Sequence, residues 1–377
     1  MIKDLILLVL GAVIGHVLSV IWSLSNMDKT VARIARRRKV KPIPLERLSV
    51  TFYLGNRETD TCVIDGNGEL VFAPDEVLCR YKPVPVEVPD ILKIDFQAIM
   101  EREFEKESQS QAHAWNGKMA HIVAFTPSRT ADREDSRLLV SMHEAQYFHF
   151  LASNAVIAKE FDSLRYASPL RKKLIGSFDK WRTEVPPNVV NGLPINFFVL
   201  TDDDKLVFSI RSSDVAIGQN DISFAVHENV HPDHDRIGDG SRLDISVTIK
   251  RAMREELGWV DDAANGLIAD VNILGFAIHT GKACFGVFGY AHLPITFAQL
   301  QQKFAMMARD RRETRHLIPV TFKRHKICGF IHYQKLYDFV GTAAFFVMVH
   351  KGIKIKRIDQ DFAQLQTKGR PWGQRTL

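Results

Sequence analysis

The run from Leu5 to Leu24, LILLVLGAVIGHVLSVIWSL, constrains this chain most. Twenty residues pass without a formal charge, and a helix of that length rises about 30 Å, the thickness of a bilayer's hydrocarbon. One transmembrane helix is expected, with an anchor over residues 1–27. A cleaved signal peptide fits worse, because the run exceeds a signal core of roughly 7–15 residues and no small-x-small cleavage site follows it. Gly11 and Gly15 form a G-x-x-x-G pair, a spacing that lets two helices approach closely, so a homo-oligomer through this face is expected. His16 is the ionisable residue inside the run. Trp22 stands where interfacial aromatics collect.

A basic segment follows directly. Lys29, Arg33, Arg36, Arg37, Arg38, Lys39 and Lys41 occur without an acid between them, against a formal net charge of +6 for the whole chain. The remainder is therefore close to neutral, and no nucleic-acid partner is expected for it. Basic residues after the helix place the carboxyl-terminal body in the cytoplasm, as a single-pass protein of the inner (plasma) membrane, with the linker 28–44 near membrane lipid. Pro42 and Pro44 close this linker as a stiff connector. A composition of 46% hydrophobic and 25% charged residues is that of a globular protein, and 377 residues suffice for two domains. Cys62, Cys79, Cys284 and Cys328 show no paired spacing, so reduced thiols are expected.

In the body, an amino-terminal α+β subdomain is expected over 45–184, a second domain over 185–350 and a coil tail over 351–377. Strands are expected at Leu48–Leu54, Glu69–Phe72 and Met119–Phe125, and helices at Phe96–Glu107 and Ala145–Ala158. Two further strands, Ile195–Leu200 and Lys205–Arg211, flank the polar turn Thr201-Asp202-Asp203-Asp204. Ile222–Val226 reads as a strand, Ile245–Leu257 as a helix stopped by Gly258, and Leu267–Thr280 with Ala283–Leu293 as a hairpin. Phe345–Val349 reads as a buried strand. Arg309, Arg311, Arg312 and Arg315 read first as a solvated helix end and second as a phosphate or lipid contact.

The segment Arg251-Ala252-Met253-Arg254-Glu255-Glu256-Leu257-Gly258-Trp259 resembles the second half of a Nudix box, R-E-U-x-E-E-x-G-U, with Ala252 in place of the first glutamate. The strand from Asp204 through Arg211 to Ser213, the loop, the box helix and the following hairpin occur in the order of that family, over roughly 185–350. The resemblance implies an α+β fold: a Nudix-like mixed sheet with packed helices, preceded here by one transmembrane helix and an N-terminal α/β extension. It implies a nucleotide or related phosphorylated ligand, with Glu255 and Glu256 as Mg²⁺ ligands, Arg251, Glu228, Glu255 and Glu256 as the catalytic set, and Arg211, Asp204 and His227 toward the ligand. Arg251 is expected to pair with Glu255 at i+4. The upstream glutamate of the box is absent, with Leu243 at its place, so Glu228 or Asp244 is the candidate replacement. Weak or absent hydrolysis in a sensor or effector follows; the alternative is an active Mg²⁺-dependent hydrolase of a nucleoside diphosphate derivative. The architecture is also similar to membrane-tethered Nudix-type proteins of bacterial cyclic-nucleotide anti-phage systems.

His227-Glu228-Asn229-Val230-His231 spells the zinc-protease pattern H-E-x-x-H. That chemistry needs a helix, whereas Ile222–Val226 reads as a strand and Pro232 opposes helical geometry at His231. A loop metal site from His227, His231, His234 and Asp233 or Asp235 is a second reading. A polar loop bordering the pocket is the favoured one.

Overall fold

The computed structural model describes residues 51–109, 116–127, 138–153, 180–186, 188–213, 215, 218–266, 269–310 and 313–367. The expected span Leu5–Leu24, with Gly11 and Gly15, and the basic linker lie outside these residues. So do Arg311 and Arg312. Among the described residues no helix is long and apolar enough to cross a membrane. The expected architecture is corrected accordingly: it is a mixed α+β fold with several sheets, and the transmembrane helix put in front of it finds no support.

The larger sheet has eight strands. Its main path runs β15 (Thr314–Thr321), β8 (Lys205–Arg211), β7 (Pro194–Thr201), β14 (Cys284–Leu293), β13 (Asp270–His279) and β3 (Thr61–Asp65). β9 (Ile222–Phe224) pairs β8, and β10 (Val226–Asn229) pairs β7. A five-stranded sheet runs β11 (Arg236–Ile237), β12 (Arg242–Asp244), β4 (Val77–Pro85), β6 (Leu138–Gln146) and β5 (Lys118–Thr126). β1 (Tyr53–Leu54) and β2 (Arg57–Glu58) form a separate pair. The two large sheets exchange strands across residue 185: β3 joins β13 of the later half, and β12 of the later half joins β4.

β7 is buried on both faces, as its apolar sequence demands. Ile195, Phe197 and Val199 enter one core cluster, while Phe198 and Leu200 enter the other. The first cluster holds the small sheet and helix α3 (Ile245–Leu257); the second holds α5 (Arg324–Tyr333), α6 (Val340–His350) and α7 (Ile355–Thr367). Earlier in the chain stand α1 (Lys93–Ser108) and α2, described over 147–153; α4 (Phe297–Met307) packs beside α3.

Several expectations need correction. Phe345–Val349 lies inside helix α6, buried on every side, because a short apolar run has no period to separate helix from strand. Residues 355–367 are helix α7 instead of coil, with Ile358 and Phe362 buried. Ala145 and Gln146 end strand β6, and α2 begins only at 147.

Helix α3 begins and ends where its sequence requires. The Asp244 carboxylate accepts the Ser246 amide at the amino end. Gly258 takes φ +67 at the other end and donates to Arg254, while Trp259 donates to Met253. A Cβ at Gly258 would stand 2.7 Å from Met307 Cβ and 2.8 Å from the Lys303 carbonyl, so α4 seals this stop.

Candidate functional site

The helix divides the box residues between two sides. Ala252 and Glu256 face inward, four residues apart, and both are buried; Arg251 and Glu255 lie on the flank. Ala252 belongs to the hydrophobic core beside Ile249 and Met253, so the position of the missing glutamate is packed with apolar neighbours.

Arg251 is the centre of the flank. Its Nε and Nη2 donate to Asp235 at 3.1 and 3.0 Å, and Nη2 also to the Asn229 carbonyl at 2.9 Å. Nη1 stands 3.1 Å from Glu228 and 3.5 Å from Glu255. The expected pairing with Glu255 is present, yet the strongest partner is Asp235, which is fully buried and also accepts the His231 amide and the Thr248 hydroxyl. Burial opposes the guanidinium charge, but Asp235, Glu228 and Glu255 together raise its pKa above the ordinary value.

Both Glu256 oxygens accept the backbone amide of His227, at 3.0 and 3.1 Å. Burial, then the carboxylates of Glu228 and Glu313, hold Glu256 well above the usual carboxylate range. Burial pushes Glu228 up to about 7 despite Arg251, and burial raises Glu313 as well. Three carboxyls thus resist ionisation at one place, with Arg251 occupying the position of a counter-ion between Glu228 and Glu255. This arrangement fits Mg²⁺ poorly: the guanidinium already takes the carboxylate oxygens a cation needs, and Ala252 supplies none.

On the other side of His227 a second cluster gathers around Tyr337. The Arg211 guanidinium lies 4.4 Å and the Lys282 ammonium 4.5 Å from the centre of its ring, and the His227 ring stands edge-on at 5.3 Å. Lys282 pairs with Asp338, which also lies 3.8 Å from His279 Nε2. Burial works against the Asp338 charge, but Lys282 and His279 bring it down to about 2. Gly218, at φ +71, sits against the ring, where a Cβ would come within 2.4 Å of Tyr337 Cδ2.

The expected residues therefore divide. Arg251, Glu228, Glu255 and Glu256 come together, and Arg211 with His227 form the neighbouring cluster. Asp204 joins neither; it occupies the β7–β8 turn at φ +54, and strand β8 separates it from Arg211 by about 20 Å. Asp244 is a helix cap. His227, His231 and His234 do not converge: His227 bonds Asn196, and His231 stacks on His234 at 4.3 Å. Among the described residues no three His, Cys, Asp or Glu side chains are placed to hold a metal ion.

Sequence reasoning missed Asp235 as the partner of Arg251, and it missed Lys282, Tyr337 and Asp338 altogether. The last three carried no signal, because they sit in loops that meet Arg211 only through the sheet. A cleft of about 1080 Å³ also runs along the outward face of α3, between Lys250 and Arg254 on the helix and Trp259 and Asp261 opposite, and it reaches Arg251 and Glu255. Glu256 lies on the other side of the helix.

No family model matches the chain, and no curated protein matches it. Among solved structures, DR0079 from Deinococcus radiodurans is similar at 12% identity and a TM-score of 0.30, over 43% of this chain and 83% of that one. At that TM-score the likeness lends no weight to any reading of the site.

Proposed function

We propose that this chain is a Nudix-like module that binds a nucleotide or related phosphorylated ligand and hydrolyses it weakly or not at all. The observation that carries the reading is Arg251 closed among Asp235, Glu228 and Glu255, with Ala252 in the core. Carboxylates satisfied in this way stabilise the helix and its loop instead of clamping metal ions on a pyrophosphate. Binding has a different basis. The Arg211 guanidinium supplies positive charge beside an aromatic ring, the chemistry that suits a phosphate attached to a planar or sugar group.

Titration calorimetry on the full chain, with nucleoside mono-, di- and triphosphates and with Mg²⁺ present or absent, tests this. Saturable binding without Mg²⁺-dependent phosphate release is expected, and Arg211→Ala weakens it about tenfold, the loss of one charge-assisted contact. Silence across the whole panel removes the proposal. Mg²⁺-dependent phosphate release abolished by Glu256→Gln would replace it with an active hydrolase.

A further inference from the structure

Strand β13 presents an unpaired edge to the cleft beside α3. Ile273 exchanges both of its backbone bonds with Phe72: the Phe72 N–H donates to the Ile273 carbonyl at 2.9 Å, and the Ile273 N–H donates to the Phe72 carbonyl at 3.3 Å. Backbone groups two residues apart on a strand point to the same side, so the N–H and C=O of Val271 also point away from β14, toward the cleft that Val271 lines. Residue 74 would face Val271 if the Phe72 strand ran on. It is a proline without an N–H, and Pro74–Glu76 turns off as a 3-10 helix. Among the described residues, neither backbone group of Val271 has a partner on that side. The Ala269 N–H, two residues back, is taken by the Asp261 carboxylate at 3.1 Å.

The volume of the cleft, about 1080 Å³, exceeds the roughly 300–1,000 Å³ of ordinary small-ligand pockets. Met253, Trp259 and Val271 give it an apolar lining. On the helix wall stand half-exposed Arg254 and exposed Lys250, which has no ion pair among the described residues. The acids Asp75 and Asp261 line the other wall, and Asp261 is already bonded to Ala269 and to Trp259 Nε1. We infer that this cleft is a docking groove for an extended peptide of a partner protein. The peptide adds a strand to β13 at Val271, lays an apolar side chain on Met253 and Trp259, and turns an acidic one to Lys250 and Arg254. An extended backbone offers the N–H and C=O that an open strand edge needs, and the side-chain pockets beside it set sequence preference. The groove contains neither Arg211 nor Tyr337, so it is independent of the phosphorylated-ligand reading.

A phage-displayed library of random peptides, panned on the full chain, supplies the probe. Enriched peptides should carry Asp or Glu two residues from an apolar side chain, the spacing that puts both on one face of a strand. Hydrogen exchange read at the Val271 amide should be fast in the unbound chain and slowed about tenfold or more by a synthetic copy of the best peptide. N-methylation of the peptide amide that faces the Val271 carbonyl should weaken binding about tenfold, while the same change at its immediate neighbours should not. Lys250→Glu combined with Arg254→Glu should cause a similar loss; if that variant does not fold, the N-methyl series alone carries the test. A library without enrichment overturns the proposal, as does a peptide that binds without slowing Val271 or that tolerates N-methylation at every position. A Val271 amide already slow in the unbound chain overturns it too. Slowing that disappears on dilution would then assign the edge to a second copy, and slowing at every concentration would assign it to residues of the same chain.

Discussion

The two polar clusters on either side of His227 manage buried charge in opposite ways. Beside α3, the carboxyls of Asp235, Glu228 and Glu255 share the Arg251 guanidinium, and the Asp235 and Glu256 carboxylates also take backbone amides. Around Tyr337, the Lys282–Asp338 pair neutralises itself, Arg211 covers the ring, and the His227 ring stands edge-on to it. The difference is between a charge matched by carboxylates and charges set against an aromatic ring. A cluster whose bonds close on one another fixes a helix to a loop; one gathered on a ring by cation–π contacts holds a positive charge against an aromatic face.

The largest expected effect comes from opening the closed cluster. Asp235→Ala strips Arg251 of its best partner and leaves a buried guanidinium short of compensation, at a cost of about 3–5 kcal/mol. Urea unfolding measures it, and a loss below about 1 kcal/mol would mean that the network does not hold the loop to α3. Restoring the box residue is expected to do harm. Ala252→Glu forces a carboxyl among Ile249, Met253 and their neighbours, costing about 2–3 kcal/mol by overpacking and desolvation, with no gain in metal-dependent phosphate release. A variant as stable as the parent that hydrolyses nucleotides would place position 252 in a reactive site after all.

The smallest effect is a slope. Glu228 has an ordinary value of 4.5 and is raised to about 7 in the folded chain, so between these values the folded protein holds a proton that the unfolded chain has released. Its contribution to stability is complete below about pH 4.5 and is lost as the pH rises through about 7, by at most about 1.4 kcal/mol per pH unit. Denaturant unfolding from pH 4.5 to 8 should therefore show a decline that Glu228→Gln makes shallower. Equal slopes in the two proteins would mean that Glu228 ionises in the folded chain as it does unfolded.

Local pattern made much of this legible. The Ile245–Leu257 helix, its Gly258 stop and the strand ending at Arg211 match the structure, since capping and periodicity are properties of neighbours in sequence. Helix α7 could have been read as well, because Ile355, Ile358, Phe362 and Leu365 recur at helical spacing. Helix α6 could not, since a segment apolar all round carries no period. The site was legible only on the helix. Glu255 and Glu256 were found through the resemblance to a Nudix box, but their unequal burial depends on which side of α3 meets β10, and Asp235 reaches Arg251 from an irregular loop. Tyr337 and Lys282 come from loops 55 residues apart, and only the sheet makes them neighbours.

That strand exchange bears on any attempt to dissect the molecule. β12 pairs β4 and then leads directly into α3 through the Asp244 cap, while β3 completes the flank of β13. Separating the chain between 184 and 185 would strip both fragments of a strand and leave each with a bare, adhesive edge. Expressed singly, the fragments should aggregate; expressed together, they should recover one another as a split pair.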